Sequence, residues 1–234
     1  MPPIVAENAG DLLRQLSKIK IAVPGRSERT TEDVERWSTA RFLSTYARSS
    51  LIRYPIRITP RDRPDVLLAF PNTEIGIEIT EAVPTNWAKT SALHEDHDYE
   101  NVMFIPHCKP GESPRSTAEL DRIARGEDMG VPWVGDSPER EWAEAMLHST
   151  NQKAAKVVKP GFSRFDHDWL LIYDNWPLPS VDEEAAAYYF RDLLLAAKSA
   201  LPFHAVFVEG SKHFWHFKDE QMLGTQINDL WKDS

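Results

Sequence analysis

The chain has 234 residues, 41% of them hydrophobic and 27% charged, and its mean hydropathy is -0.46; this suits one well-buried domain and excludes a disordered or membrane-dissolved polymer. No apolar run approaches the roughly 20 residues of a transmembrane helix, and Glu7, Asp11 and Arg14 interrupt the N-terminus, so neither a span nor a signal peptide is expected and a cytoplasmic location is. One cysteine, Cys108, leaves no internal disulfide and no multi-cysteine zinc framework. The net charge of -9 argues against a protein that coats nucleic acid with its whole surface. The charge is nevertheless uneven: nine arginines against five acids lie between Arg26 and Pro64, a local +4, which leaves -13 elsewhere and points to an anionic partner for the first third.

No repeat or low-complexity tract is present. Residues 1–29 read as an N-terminal arm with a helix around Asp11 to Ile19, closed by Pro24-Gly25. Thr30 or Thr31 caps a helix running to about Arg48, with Glu32, Asp33 and Glu35 in its dipole-favoured first turn. Ile52, Tyr54, Ile56 and Ile58 alternate with polar residues, a strand that Pro55 pushes to an edge. Asp65 to Phe70 gives a second strand. Past Pro71-Asn72-Thr73, Glu74 to Glu81 gives a third, with Ile75, Ile77 and Ile79 on one face and Glu74, Gly76, Glu78 and Thr80 on the other.

From Val83 to Gly135 the chain turns to Pro, Gly, His and acids and reads as a long insertion, partly ordered at best, with helical potential near Thr117 to Arg125. Ser137-Pro138 then starts a helix that carries Lys153 and Lys156. Trp169 to Tyr173 (WLLIY) suits a strand buried on both faces. Ser180 with Glu183 forms a capping box for a helix to about Ala200, and His204 to Glu209 with His213 to Phe217 close the fold as a strand pair around Gly210-Ser211. The fold expected is a single α/β domain over 30–234, a mixed central sheet flanked by helices, with the insertion at about 83–135 after the third strand.

Asp65 opens one strand and Glu78 lies in its hairpin partner, so their carboxylates can converge to share a divalent cation. With the Ile79 carbonyl they form a hard-oxygen set suited to Mg2+ or Mn2+, an ion that activates water and neutralises charge on a scissile phosphate. An acid between two isoleucines in a central strand is costly unless something binds it. Pro64-Asp65, a hairpin and the Glu78 of GIEIT resemble the signature of the PD-(D/E)xK, or restriction-endonuclease-like, nuclease superfamily, whose cores run helix, three-stranded meander, helix, strand. The resemblance covers about Thr30 to Thr80 and Asn151 to Asn175. It implies Mg2+-dependent hydrolysis of DNA, or second RNA, with Asp65 and Glu78 as metal ligands, Glu35 as an added carboxylate from the first helix and a lysine as charge stabiliser. The chain departs from the family at Thr80, where the lysine belongs; Lys153 or Lys156 on the following helix, or Lys89 beyond the strand, is expected to replace it.

Arg53, Arg57, Arg61 and Arg63 are the expected nucleic-acid contacts, and the reading leaves room for a homodimer. The rival is a binding module with a broken site that recognises a protein or nucleic-acid partner through the arginines and the insertion. A third reading is zinc on His94, His97, His107 and Cys108, whose spacing matches no tight framework. His167, between Asp166 and Asp168, reads as a polar turn, and Trp37, Trp87, Trp133 and Trp176 as core or base-stacking groups. No G-x-x-x-x-G-K, G-x-G-x-x-G or G-x-S-x-G occurs, which excludes the glycine-cradled nucleotide sites and the hydrolase elbow.

Overall fold

A computed structural model describes residues 1–21, 29–97, 106–127, 131–198 and 201–231, without the side chains of residues 96 and 97. The alternating stretches pair as expected: β2 (Ile56–Pro60), β3 (Val66–Phe70) and β4 (Thr73–Ala82) form an antiparallel meander. β5 (His167–Asp174) lies parallel to β4, and β6 (Ala205–Glu209) parallel to β5. β7 (His213–Lys218) and β8 (Gln221–Gln226) then turn back antiparallel, and β1 (Ile4–Ala6) pairs on the outer side of β2. The result is a mixed eight-stranded sheet in chain order, an α/β fold.

The two parallel steps require crossovers, and helices supply them. α5 (Ser137–Val157) leads into β5 and α6 (Glu183–Ala197) links β5 to β6. These two cover one face through Trp142, Met146, Ala186 and Phe190, packed with Leu170, Ile172, Val206 and Val208. On the other face α1 (Ala9–Leu16) and α2 (Thr31–Tyr46) bury Leu12, Leu16, Phe42, Leu43 and Tyr46 against Ile58, Leu68, Ile77, Leu171 and Phe207. WLLIY thus feeds both cores, which explains why it is apolar without alternation. Phe42 centres the first core, with the rings of Tyr46 and Phe207 each 4.9 Å away. Among the described residues no helix is long and apolar enough to cross a membrane.

Several boundaries differ from the sequence expectation for local reasons. The arm is part of the sheet: Ile4 and Ala6 are buried, and the helix begins at Ala9, where Asn8 accepts from the Asp11 amide. β2 starts at Ile56 rather than Ile52 because Pro55 has no N–H to give the ladder. In α2, Thr30 and Asp33 form the capping box by reciprocal bonds of 3.2 and 3.0 Å. α6 is capped by Asp182, which accepts from Glu184 and Ala185, in place of Ser180; Glu183 is drawn off to Ser211 and His213. α5 takes Asp136 as its N-cap, one residue before Ser137.

The described part of the insertion carries two helices. It contains α3 (Thr85–His97) and α4 (Thr117–Ala124), the latter capped by a Ser116–Glu119 box and burying Leu120, Ile123 and Ala124. α4 falls where helical potential was expected, near Thr117 to Arg125, and α3 was not expected. β8, a polar edge strand, carries no strong strand signal at all.

Truncation at the centre of the first core leaves a cavity that neighbouring rings cannot fill. Phe42→Ala is expected to cost about 3–5 kcal/mol in urea unfolding. Leu223→Ala, at a side chain 60% exposed, is expected to stay within about 0.5 kcal/mol of the parent.

Candidate active site

The β2–β3 turn is closed by the Arg61 amide donating to the Asp65 carbonyl at 2.9 Å. Asp65 stands one residue before Val66, whose partner is Ile77, so the ladder brings Asp65 alongside Glu78 as the hairpin reading requires. The Ile79 amide donates to Asp65 Oδ2 at 2.6 Å. Both carboxylates are buried, Asp65 9% and Glu78 6% exposed. Two residues before Glu78 on the same face, Gly76 admits the close cover of Phe165: a Cβ there would lie 2.7 Å from the ring.

Lys153 descends from α5 into this pair. Its Nζ is 3.0 Å from Asp65 Oδ2 and 2.8 Å from Glu78 Oε2, and it donates to the Ile79 carbonyl at 2.9 Å. Of the three lysines weighed as substitutes for the one absent at Thr80, this is the one that arrives. Lys156 and Lys89 are exposed on their helices. The Ile79 carbonyl, expected as a metal ligand, accepts from this ammonium.

Glu35 reaches the same end of the sheet from α2. It lines with Asp65, Thr39, Pro60 and Arg61 a cleft of about 380 Å³. Burial, then the field of Asp65, raises its pKa to about 7, even with Lys153 opposing. Burial also raises the pKa of Glu78 against the pull of Lys153. For Lys153 burial works downward, but Asp65 and Glu78 outweigh it and hold the ammonium above the ordinary lysine range. Fully ionised, the three carboxylates carry -3 against +1, so the pocket has room electrostatically for further positive charge.

The four arginines separate. Arg61 and Arg63 flank Asp65 on the β2–β3 turn, exposed, with their guanidinium groups over the rings of Phe165 and Phe162 at 6.0 and 5.1 Å. Arg57 is exposed on β2 between Val5 and Ala69. Arg53, left outside the shortened β2, lies at the opposite end of the sheet with Phe70 and His167. A joint surface of all four beside Asp65 is therefore not formed.

Among the described residues no group of three or more His, Cys, Asp or Glu side chains is arranged to hold a metal ion. For Asp65 and Glu78 the reason is visible: the Lys153 ammonium stands between one oxygen of each. Their other carboxylate oxygens and Glu35 are the donors left to a hard cation. In the insertion, burial pushes the Cys108 thiol up to about 12, so it offers no thiolate. His107 is committed to Glu141 at 2.7 Å and stacks on Trp133, and the His97 side chain lies outside the described residues.

Two ion pairs beside the site were not foreseen. Arg29 binds Glu81 at 2.5 Å, and Arg41 binds the fully buried Glu209 at the end of β6. The only sequence signal for them was an acid near the end of each apolar strand. Compared with protein-family models, curated proteins and solved structures, the chain matches none.

Lys153→Met removes the counter-charge of two buried carboxylates and is expected to cost about 3–5 kcal/mol. The loss is expected to be larger at pH 8 than at pH 5, where protonation relieves the bare acids, as read by thermal unfolding at both values. Glu35 has a folded pKa of about 7 against an ordinary 4.5. Between those values the folded state holds a proton that the unfolded state releases, so stability falls as pH rises through that window. Glu35→Gln is expected to flatten this slope.

Proposed function

We propose that the chain is a metal-dependent phosphodiesterase with a restriction-endonuclease-like core, acting on DNA or, second, on RNA. The observation that carries this reading is the position of Lys153 Nζ, within 3.0 Å of both Asp65 and Glu78: the amine absent from β4 at Thr80 is supplied by α5. The order α2, β2–β3–β4 meander, α5, β5 supports it, as does the surplus of negative charge.

In this reading Asp65 and Glu78, with Glu35 as a third carboxylate, would hold Mg2+ or Mn2+. The ion, when bound, acidifies a water and offsets charge on the phosphate. The residues of the chain do the rest. Lys153, kept cationic by its neighbours, offers N–H donors to a non-bridging phosphate oxygen, where charge builds in the transition state. Glu35, poised near neutrality, can take up a proton at pH 7. Arg61 and Arg63 contact the flanking phosphates on the exposed turn.

One observation favours the rival binding module: the ammonium already bridges the two acids, so the pair is compensated without a metal. Calorimetric titration with Mg2+ or Mn2+ separates the two, since the module yields no heat that depends on Asp65 and Glu78. For the enzyme, cleavage of single- and double-stranded DNA and RNA is expected only with the divalent ion. Asp65→Ala and Glu78→Ala are each expected to abolish it with the fold intact by circular dichroism. Lys153→Ala is expected to lower the rate by about 10²–10³, and Lys156→Ala to leave it unchanged. Cleavage retained by both carboxylate variants overturns the assignment.

A further inference from the structure

At the opposite end of the sheet Glu74, Asp166, Asp168 and Asp219 surround a pocket whose own wall holds no acid. Beyond the start of β5 and the end of β7, a pocket of about 240 Å³ is lined by Arg53, Thr73, His167, His204, His216 and Lys218, with no Asp or Glu in its wall. Among the described residues, neither Arg53 nor Lys218 forms an ion pair. The carboxylate that approaches from below, Asp168, is held by Arg164 at 3.0 Å. Two cations thus share a small pocket with no internal counter-ion.

The histidines add donors. The Asp168 amide donates to His204 Nδ1 at 2.9 Å, which fixes that nitrogen as an acceptor and puts the ring proton on Nε2. His167 meets His204 edge-on, centroids 5.2 Å apart. His216 lies flat on Phe207 at 4.4 Å, and burial, with Lys218 nearby, pushes its pKa down to about 4. It is therefore neutral at pH 7 and presents one ring N–H. The set combines a guanidinium, an ammonium and imidazole N–H groups, which are the donors that recognise phosphate oxygens.

We propose that this pocket binds a phosphate group, free or as the monoester end of a small molecule. Its volume admits a phosphate together with bound water or the first atoms of an ester. A second cleft of about 400 Å³ shares His167, His204 and Lys218 as a wall and continues over Leu194, Leu201 and Phe203, a surface on which the apolar body of an ester can rest. The site lies at the far end of β4 and β5 from Glu78 and is independent of the activity proposed above.

The test is isothermal titration of the full chain, in EDTA so that no divalent ion is present, with inorganic phosphate and separately with adenosine monophosphate. Saturable binding is expected, weakened about ten- to a hundredfold by Arg53→Ala and by Lys218→Ala. Both side chains are exposed, so the melting temperature of each variant is expected to match the parent. Tighter binding of the ester assigns the adjoining cleft to its organic part; equal affinities assign the phosphate alone, and both support the pocket. Absence of saturable heat at millimolar phosphate overturns the proposal. So does binding that survives Arg53→Ala and Lys218→Ala, or that is lost only with Lys153→Ala, which moves the anion to the other end of the sheet.

Discussion

A single ammonium ties three elements together. Lys153 satisfies Asp65 from the β2–β3 turn, Glu78 from the middle of β4 and the Ile79 carbonyl, all at 2.8–3.0 Å. None of these groups is cheap to bury alone: an unpaired carboxylate or ammonium in such a place costs several kcal/mol, and the attraction between them offsets that cost only with good geometry. The geometry in turn requires the β3–β4 register. A slip of one residue would turn Glu78 into the core of Ile77 and Ile79 and bring an isoleucine up to the lysine. The cluster therefore acts as a register lock as well as a candidate reactive centre.

The sheet also separates charge along its strands. From the middle of β4 towards the end where β4, β5 and β6 finish, Asp65, Glu78, Glu35, Glu81 and Glu209 gather, four of them answered by Lys153, Arg29 and Arg41. At the other end stand Arg53, Lys218 and three histidines. A net charge of -9 thus conceals one small cationic pocket. A polyanion could approach the acidic end only where cations shield it, and the exposed Arg61 and Arg63, stacked on Phe165 and Phe162, are the groups placed to do so.

What could be read from the sequence follows from how local its cause is. The meander and the meeting of Asp65 with Glu78 were legible because period-two alternation sets facing and a short turn at Thr73 sets register. WLLIY was legible because burial on both faces leaves no polar position. The choice between Lys153 and Lys156 was not: it depends on the rotation of α5 about its axis, which Trp142 and Met146 fix by packing on Leu170 and Ile172. β1 and β8 were missed because three residues, or a polar sextet, gain their strand character only from the neighbour they pair with. Arg53 was grouped with Arg57 by alternation alone, and Pro55 broke that alternation before it could act.

Placing the amine on a helix rather than on β4 changes what the site depends on. At position 80 a lysine would sit two residues from Glu78 on one strand, held by the same ladder. From α5 its position relies on the packing of that helix over β4 and β5. Trp142 joins this packing to the end of β5, where its indole N–H donates to Asp174 at 2.6 Å, a half-buried carboxyl whose pKa burial raises to about 6. The chain of contacts from Asp174 through Trp142 and along α5 to Lys153 means that the acidic pair on the sheet is neutralised only when the helix is seated. Core packing and charge compensation at the site are then one event, which explains how Glu78 can occupy a central strand beside Asp65 with no lysine on that strand to pair them.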